Sequence, residues 1–356
     1  MEYSQLFEKA ADHYKKKIPF VLFSLPDEPS LKGAFQKENA SYLAENFDEE
    51  SFVLAPFNLN DVVFQILYKN CDVHEVTTNE IEQHPIDSVS FSENTTEKER
   101  YMNMVANAIK KINSEHVHKI VVSREKKLAV QNFNLTTLCT SLFSQYEDAF
   151  RYVWYHPDTG IWCGATPELL LQTNQRNFST MALAGTQRID DKMMIQWSVK
   201  EKLEQQWVTD AIIDCLENKT AVLKVSKTKT HIAGNLAHLK TDISGVLNTN
   251  KATLMQLAKA LHPTPAICGT PRSVAMQFIT QHENYNRSFY AGFLGPVGEM
   301  QRHSKLFVNL RCMAINDSEA TLYAGGGITI DSNPEAEWDE THNKLQTIAK
   351  VLQPLL

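Results

Sequence analysis

No apolar run in this chain reaches the ~18 residues that a membrane-spanning helix needs, so no crossing of a bilayer by a helix is expected. Cysteine is sparse and scattered. Cys71, Cys139, Cys163, Cys215, Cys268 and Cys312 form no CxxC or Cys/His metal spacing, so they read as reduced packing residues. Basic charge is not in excess: 35 Lys and Arg against 42 Asp and Glu give a net charge of -7, which argues against a nucleic-acid binder. The opening MEYSQLFEKAADHYKKK has an amphipathic helical pattern with acidic residues and no apolar signal core, so a cytoplasmic protein is expected. Low-complexity linkers are absent too, and the 356 residues read as one large unit, 43% of whose residues are hydrophobic.

Residues 1 to about 95 alternate short apolar segments, such as Pro19–Phe23 and Ser51–Ala55, with polar or Pro-bearing turns. They read as strands with intervening helices and carry no chemical constellation, a scaffold part. From Thr95 to about Asn113 a long amphipathic helix places Tyr101, Val105, Ala108 and Ile112 on its apolar face. Tyr152–Tyr155 and Ile161–Gly164 flank the turn His156-Pro157-Asp158-Thr159-Gly160 and read as a hairpin. Leu306–Ile315 is a nearly continuous apolar strand holding one cation, Arg311, whose burial demands an anionic partner, either an internal carboxylate or a ligand.

The most informative stretch is LYAGGGITIDSNPEAEWDETHNKL, Leu322 to Leu345. An apolar run enters Gly325, Gly326 and Gly327, where a strand can bring its backbone N–H groups close to something such as a carboxylate. Asn333-Pro334-Glu335 reads as a helix start, after which Glu337, Glu340 and Lys344 share one face. A second acidic pair, Glu201 and Glu204, lies three apart in another helical pattern. Each set reads either as a solvated helix face or, if the two helices meet, as oxygen ligands for a hard cation such as Mg²⁺.

Other candidates have two readings as well. Lys119 opens a short β-branched run and is either a solvated strand end or an amine held in a cleft as a base. Glu168, at the edge of the apolar ATPELLL, either caps a local turn or has a raised pKa and serves as a general acid. Gly185-Thr186 ends a strand and can present a backbone N–H and a hydroxyl. The proline-rich LHPTPAICGTPR makes a rigid loop that fixes His262 and Thr264 and is read as a site wall.

Taken together, KIVVSR, GATPELLL, LAGT, KEKLEQ, LHPTPAICGTPR, RSFYAGFLGPVG, LFVNLRC and AGGGI followed by EAEWDETHNK resemble the chorismate-utilising enzymes, in the same order from Phe91 to Leu356. The resemblance implies an α+β fold, a single large domain of extensive antiparallel sheets packed together and flanked by helices. It implies Lys119 as water-activating base and Glu168 as general acid. It also implies Glu204 and Glu340 as principal Mg²⁺ ligands, supported by Glu201 and Glu337. Tyr290, Arg311, Gly326, Gly327 and Lys344 match the positions that hold the substrate carboxylates, Gly185 and Thr186 match a substrate-lining turn, and His262 matches a residue close to the ring. One departure is Gln205, where the family commonly has histidine after the glutamate.

Within that family, water is the implied nucleophile. Branches that use ammonia depend on a glutamine amidotransferase partner and lack a lysine at position 119, and those with a nucleophilic lysine carry it where this chain has Ala184. The expected reaction is therefore chorismate to isochorismate, for a menaquinone or catecholate siderophore pathway, with no amidotransferase partner. Formation of salicylate, by a further loss of pyruvate, is an alternative; the LHPTPAICGTP loop resembles that of isochorismate synthases instead. A chorismate-binding protein without turnover is the third reading.

Overall fold

The structure, a computed structural model, describes residues 2–77, 81, 89–91, 94–115, 117–188, 195–233, 236–248, 253–298, 303–316 and 318–356. Its described strands form two large antiparallel sheets. The first runs β15 (Gly269–Thr270), β7 (Lys119–Ala129), β19 (Glu319–Ile328), β18 (Cys312–Ile315), β9 (Gly160–Thr166), β8 (Phe150–His156), β1 (Phe20–Ser24), β2 (Ser30–Gln36), β6 (Cys71–Thr77). The second runs β12 (Thr220–Val225), β14 (Leu236–Leu247), β11 (Asn177–Arg188), β10 (Leu169–Asn174), β17 (Lys305–Val308), β16 (Phe293–Val297), β4 (Ser51–Ala55), β5 (Phe64–Leu67), β3 (Tyr42–Leu43). In this second sheet β13 (Lys229–Ala233) also pairs with β14.

The inner faces of the sheets share a core of large aromatic side chains. Phe150 stacks on Phe307 with ring centroids 4.2 Å apart, and Phe52 lies against Phe23 and Trp154. Such burial across two pleated faces is the dominant stabilising contribution, since apolar area removed from water scales with stability. The outer face of the first sheet is covered by α1 (Tyr3–Lys16), α3 (Leu135–Phe143) and α7 (Pro334–Leu352). Leu6, Phe7, Leu138, Leu142, Leu345 and Ile348 pack there with Leu22, Val153 and Met313. Helices α2 (Thr95–Ser114) and α6 (Arg272–His282) border β7, whereas α4 (Val199–Leu216) lies on β11 and α5 (Leu254–Leu261) packs against α4.

Local signals explain the elements that carry the site. Asn333 caps α7 by accepting from the N–H groups of Glu335 and Ala336, and Pro334 occupies the first turn, where its missing N–H costs nothing. Asn94 caps α2, whose buried stripe includes Tyr101, Val105, Ala108 and Ile112, as the periodicity predicts. The β8–β9 hairpin sets Trp154 opposite Trp162, and Gly160 takes the positive φ, +73°, that its turn requires.

Two expectations need correction. The 306–315 stretch is two strands: β17 ends at Val308 in the second sheet and β18 begins at Cys312 in the first. Between them Asn309 is buried, accepting from the Tyr152 hydroxyl and donating to Phe289 C=O, and Arg311 adopts a φ of 47°. An apolar sequence that crosses between two buried sheets has the same hydropathy as one long strand. Between α1 and Thr95, the described residues hold strands and a single 3₁₀ turn, Tyr68–Asn70, in place of the intervening α-helices expected there. No helix among the described residues is long and apolar enough to cross a membrane.

Candidate active site

Strand β19 pairs with β7 throughout its glycine run, Gly325 opposite Ser123, Gly326 opposite Val122 and Gly327 opposite Val121. On the other side β18 accompanies β19 only as far as Leu322. Val121 N–H bonds Cys268 C=O and Ser123 N–H bonds the Glu283 carboxylate, both away from β19, so Val121 and Ser123 form non-hydrogen-bonded pairs with Gly327 and Gly325. The polar groups of those two glycines therefore face the open edge, where Gly325 C=O accepts from Lys344 Nζ at 2.9 Å.

Each glycine also makes room for one side chain of the site. A Cβ on Gly325 would stand 3.0 Å from the Tyr290 hydroxyl, one on Gly326 would stand 2.6 Å from Glu337 Oε2, and one on Gly327 would stand 2.5 Å from Lys119 Cε. Only glycine lets the strand backbone approach these three groups so closely.

Lys119, the first residue of β7, is buried and its Nζ meets Glu204 Oε1 at 2.9 Å. That contact ties the first sheet to α4, which lies on the second. Helix α4 is held in turn by Gln205, whose buried amide donates to Ala182 C=O at 3.0 Å and to the Thr241 hydroxyl at 2.9 Å on β11 and β14. The amide at this position thus serves as a packing anchor under Glu204.

Glu168, between β9 and β10, has its pKa raised to about 7 by burial, against the opposing pull of Lys119, Arg311 and Lys344. Those three cations thus face one carboxyl group that is kept largely protonated below neutrality. Burial likewise lowers the pKa of Arg311 and of Lys344, while Tyr290, Glu340 and Glu168 support the charge on Arg311. Lys344 bonds Glu340 Oε1 at 2.5 Å, and despite burial Glu340 is held below the usual carboxylate range by Lys344, Arg311 and Lys119. Glu337 moves the other way, raised by burial and by Glu340 although Ser332 donates to its Oε1. Tyr290 is buried, stacks on Tyr323 with centroids 5.2 Å apart, and carries a pKa raised by burial.

Three expected participants stand differently. Glu201 is committed to its own helix start, its Oε2 accepting from Ser198 N–H at 2.8 Å and its Oε1 from Gln187 at 3.1 Å. His262 is not with the others: its ring lies between Phe57 and Phe293, its Nε2 is 3.0 Å from Phe57 C=O, and burial lowers its pKa to about 4. It belongs to the core beside the proline loop, 2% exposed and held by aromatic neighbours and a backbone carbonyl. The Thr186 side chain lies outside the described residues, while Gly185 adopts a φ of +69° over Glu201 at a bulge in the β11–β14 pairing.

The histidine turned toward the cluster is His238, on β14 opposite Thr186. Its pKa is lowered by burial and by the positive charges of His231, Lys344 and Arg311, partly offset by a hydrogen bond to the Gly185 backbone. Sequence reasoning passed over it because its relevance depends on strand register, which pairs it with the Gly-Thr turn 52 residues earlier.

Among the described residues no three His, Cys, Asp or Glu side chains stand grouped as a ready cation cage. The chemistry of the donors nevertheless suits a hard cation. Glu337 Oε2 is buried with no hydrogen-bond partner among the described residues, a second carboxylate, Glu340, acts on it, and every candidate ligand atom is an oxygen. A buried carboxylate oxygen left without a donor is costly unless a cation or water satisfies it.

The arrangement has counterparts among known proteins. The isochorismate synthase EntC of Escherichia coli K12 is 31% identical over 265 residues, which is 72% of this chain and 67% of that protein. Two solved structures share the fold. A putative 2,3-dihydroxybenzoate-specific isochorismate synthase, DhbC, from Bacillus anthracis superposes with a TM-score of 0.79 at 24% identity, covering 97% of this chain and 99% of that one. MenF, the menaquinone-specific isochorismate synthase from Escherichia coli, gives 0.78 at 21% identity, covering 94% and 88%. The family described as chorismate binding enzyme matches residues 40–353, and with that span matched the chain belongs to the chorismate-binding enzyme family.

Proposed function

We propose that this chain is an isochorismate synthase, a Mg²⁺-dependent enzyme that adds water at C2 of chorismate as the hydroxyl leaves C4. The observation that carries the reading is Glu168: a carboxyl group with a pKa raised to about 7, faced by Lys119, Arg311 and Lys344. An acid that keeps its proton near neutrality can give it to a departing hydroxyl, which is a poor leaving group as hydroxide. Lys119 takes the proton of the attacking water, so one proton is lost at C2 and one gained at C4, and water is both consumed and released.

Arg311 and Lys344 supply the positive charge that a dicarboxylate substrate requires, and the Gly327 N–H, facing the open edge of β19, offers a backbone donor. In this reading Tyr290, Gly185, Thr186 and Gly326 are assigned to substrate binding, and the role near the ring passes from His262 to His238, whose pKa responds to Lys344 and Arg311. Glu204 and Glu340 would be the principal Mg²⁺ ligands, with Glu337 in support, while Glu201 stays with its own helix start. When bound, Mg²⁺ would fix a substrate carboxylate and stabilise charge as the double bonds move.

The whole chain, 1–356, acts as one chorismate-utilising unit, cytoplasmic and without a glutamine amidotransferase. Its product enters a menaquinone or a catecholate siderophore route; of the two structural relatives, one is described as menaquinone-specific and the other as 2,3-dihydroxybenzoate-specific. The test is incubation with chorismate and Mg²⁺, products followed by NMR or chromatography beside an EDTA control. Isochorismate accumulating to an equilibrium mixture without pyruvate supports the proposal. Salicylate with stoichiometric pyruvate, or unchanged chorismate, overturns it in favour of the lyase branch or of a binding protein.

A further inference from the structure

Two buried polar atoms beside the site have no partner among the described residues, and they flank the same glycine. One is the Tyr101 hydroxyl on α2, the other Glu337 Oε2 on α7. A Cβ on Gly326 would stand 2.6 Å from the carboxylate oxygen and 3.6 Å from the hydroxyl. The carboxylate oxygen thus fills the place a side chain would take, and the two oxygens lie within about 6 Å of each other, a span that one water can bridge by accepting from the hydroxyl and donating to the carboxylate.

Tyr101 is fixed where it stands. Its ring is tilted on Trp338 with centroids 5.9 Å apart, and Arg124, lying 3.8 Å over Trp338, also borders it at 6.0 Å. The residue is 2% exposed, so its hydroxyl has no route to bulk water. A phenylalanine would fill the same apolar position with no unsatisfied group, which is why a hydroxyl here calls for a function. The neighbouring Glu337 is otherwise held by Ser332 at one oxygen alone.

We propose that Tyr101 is a positioning residue: its hydroxyl donates, through one bridging water, to Glu337 Oε2 and so orients that carboxylate toward Glu340. The oxygen retains a second lone pair for a cation or a cation-bound water. This inference rests on the Mg²⁺-dependent reading above.

The experiment titrates the wild type and Tyr101→Phe with MgCl₂ alone by calorimetry, and measures turnover of chorismate against Mg²⁺ concentration. Partners in this outer position typically carry a 10- to 100-fold effect on metal affinity, so Tyr101→Phe should weaken Mg²⁺ binding by about tenfold or more. Its thermal midpoint should be unchanged or higher, and turnover should recover at high Mg²⁺. In a Glu337→Gln background the same substitution should have little further effect, because the hydroxyl acts through that carboxylate. Equal Mg²⁺ affinity of wild type and Tyr101→Phe, or full additivity with Glu337→Gln, overturns the inference while leaving the proposed function intact. A wild type that neither binds Mg²⁺ nor turns over chorismate overturns both.

Discussion

Lys119 and Glu204 meet at 2.9 Å, and that one contact joins β7 of the first sheet to α4 on the second. The site thus draws on both sheets, with Lys119 and the α7 carboxylates Glu337 and Glu340 on the first and Glu204 of α4 on the second. Removing the amine by Lys119→Ala should lower turnover of chorismate by roughly 10²- to 10⁴-fold, the usual contribution of a positioned base. Chorismate should still raise the thermal midpoint, since Arg311 and Lys344 are untouched. Turnover close to the wild-type rate would mean that another group takes the proton.

Gly327 faces the same lysine, and Gly327→Ala separates geometry from stability. The added methyl would sit 2.5 Å from Lys119 Cε and 3.0 Å from its Nζ, the far end of a flexible side chain. The lysine can swing aside at small cost in folding but leaves its place beside Glu204. The expected outcome is a thermal midpoint within a few degrees of wild type and turnover depressed nearly as far as in Lys119→Ala. An active Gly327→Ala enzyme would show that the amine needs no such placement.

The pH dependence follows from Glu168. Its folded pKa is raised from 4.5 to about 7 by burial, so the protonated fraction, and turnover with it, should fall as pH rises through 7. Stability moves in the same sense. Below 4.5 folded and unfolded chains both hold the proton; as pH climbs to 7 the unfolded chain has released it while the folded one keeps it, and folding loses free energy. Glu168→Gln removes that loss. Urea denaturation at pH 5 and pH 8 should show the variant gaining on the wild type at the higher pH, with turnover low throughout; a variant that gains nothing at pH 8 would contradict the raised value.

Much of this site was legible in the residues. Helix spacing put Glu337, Glu340 and Lys344 on one stripe, the triple glycine announced a close approach, and Asn333-Pro334 marked the start of α7. What was not legible is non-local. Arg311 looked like a mid-strand cation, yet the chain turns there from one sheet to the other, a change that hydropathy does not register. His262 stood out because prolines surround it, whereas His238 owes its place to a strand register set by β11 and β14. Residues before Thr95 looked like scaffold, and they supply strands to both sheets.

The same non-local logic bears on how β7 is held. Strand β15 pairs with β7 only at Lys119 and Ile120, and beyond that point a buried ion pair takes over the ladder. Arg287 donates to Val121 C=O at 2.8 Å and to Ile267 C=O at 3.0 Å, while Glu283 accepts from the Ser123 N–H and hydroxyl at 2.7 and 2.8 Å. The two side chains also bond each other at 2.6 Å and are each 2% exposed. Removing one partner strands the other charge in the interior, which costs about 3–5 kcal/mol. Glu283→Ala should therefore lower the urea midpoint sharply. Glu283→Ala with Arg287→Met should lose less than the sum of the single substitutions, because the second change removes the stranded charge. If the single substitution costs under ~1 kcal/mol, or the two losses simply add, then β7 is held by its pairing with β19 alone and the ion pair is incidental to the placement of Lys119.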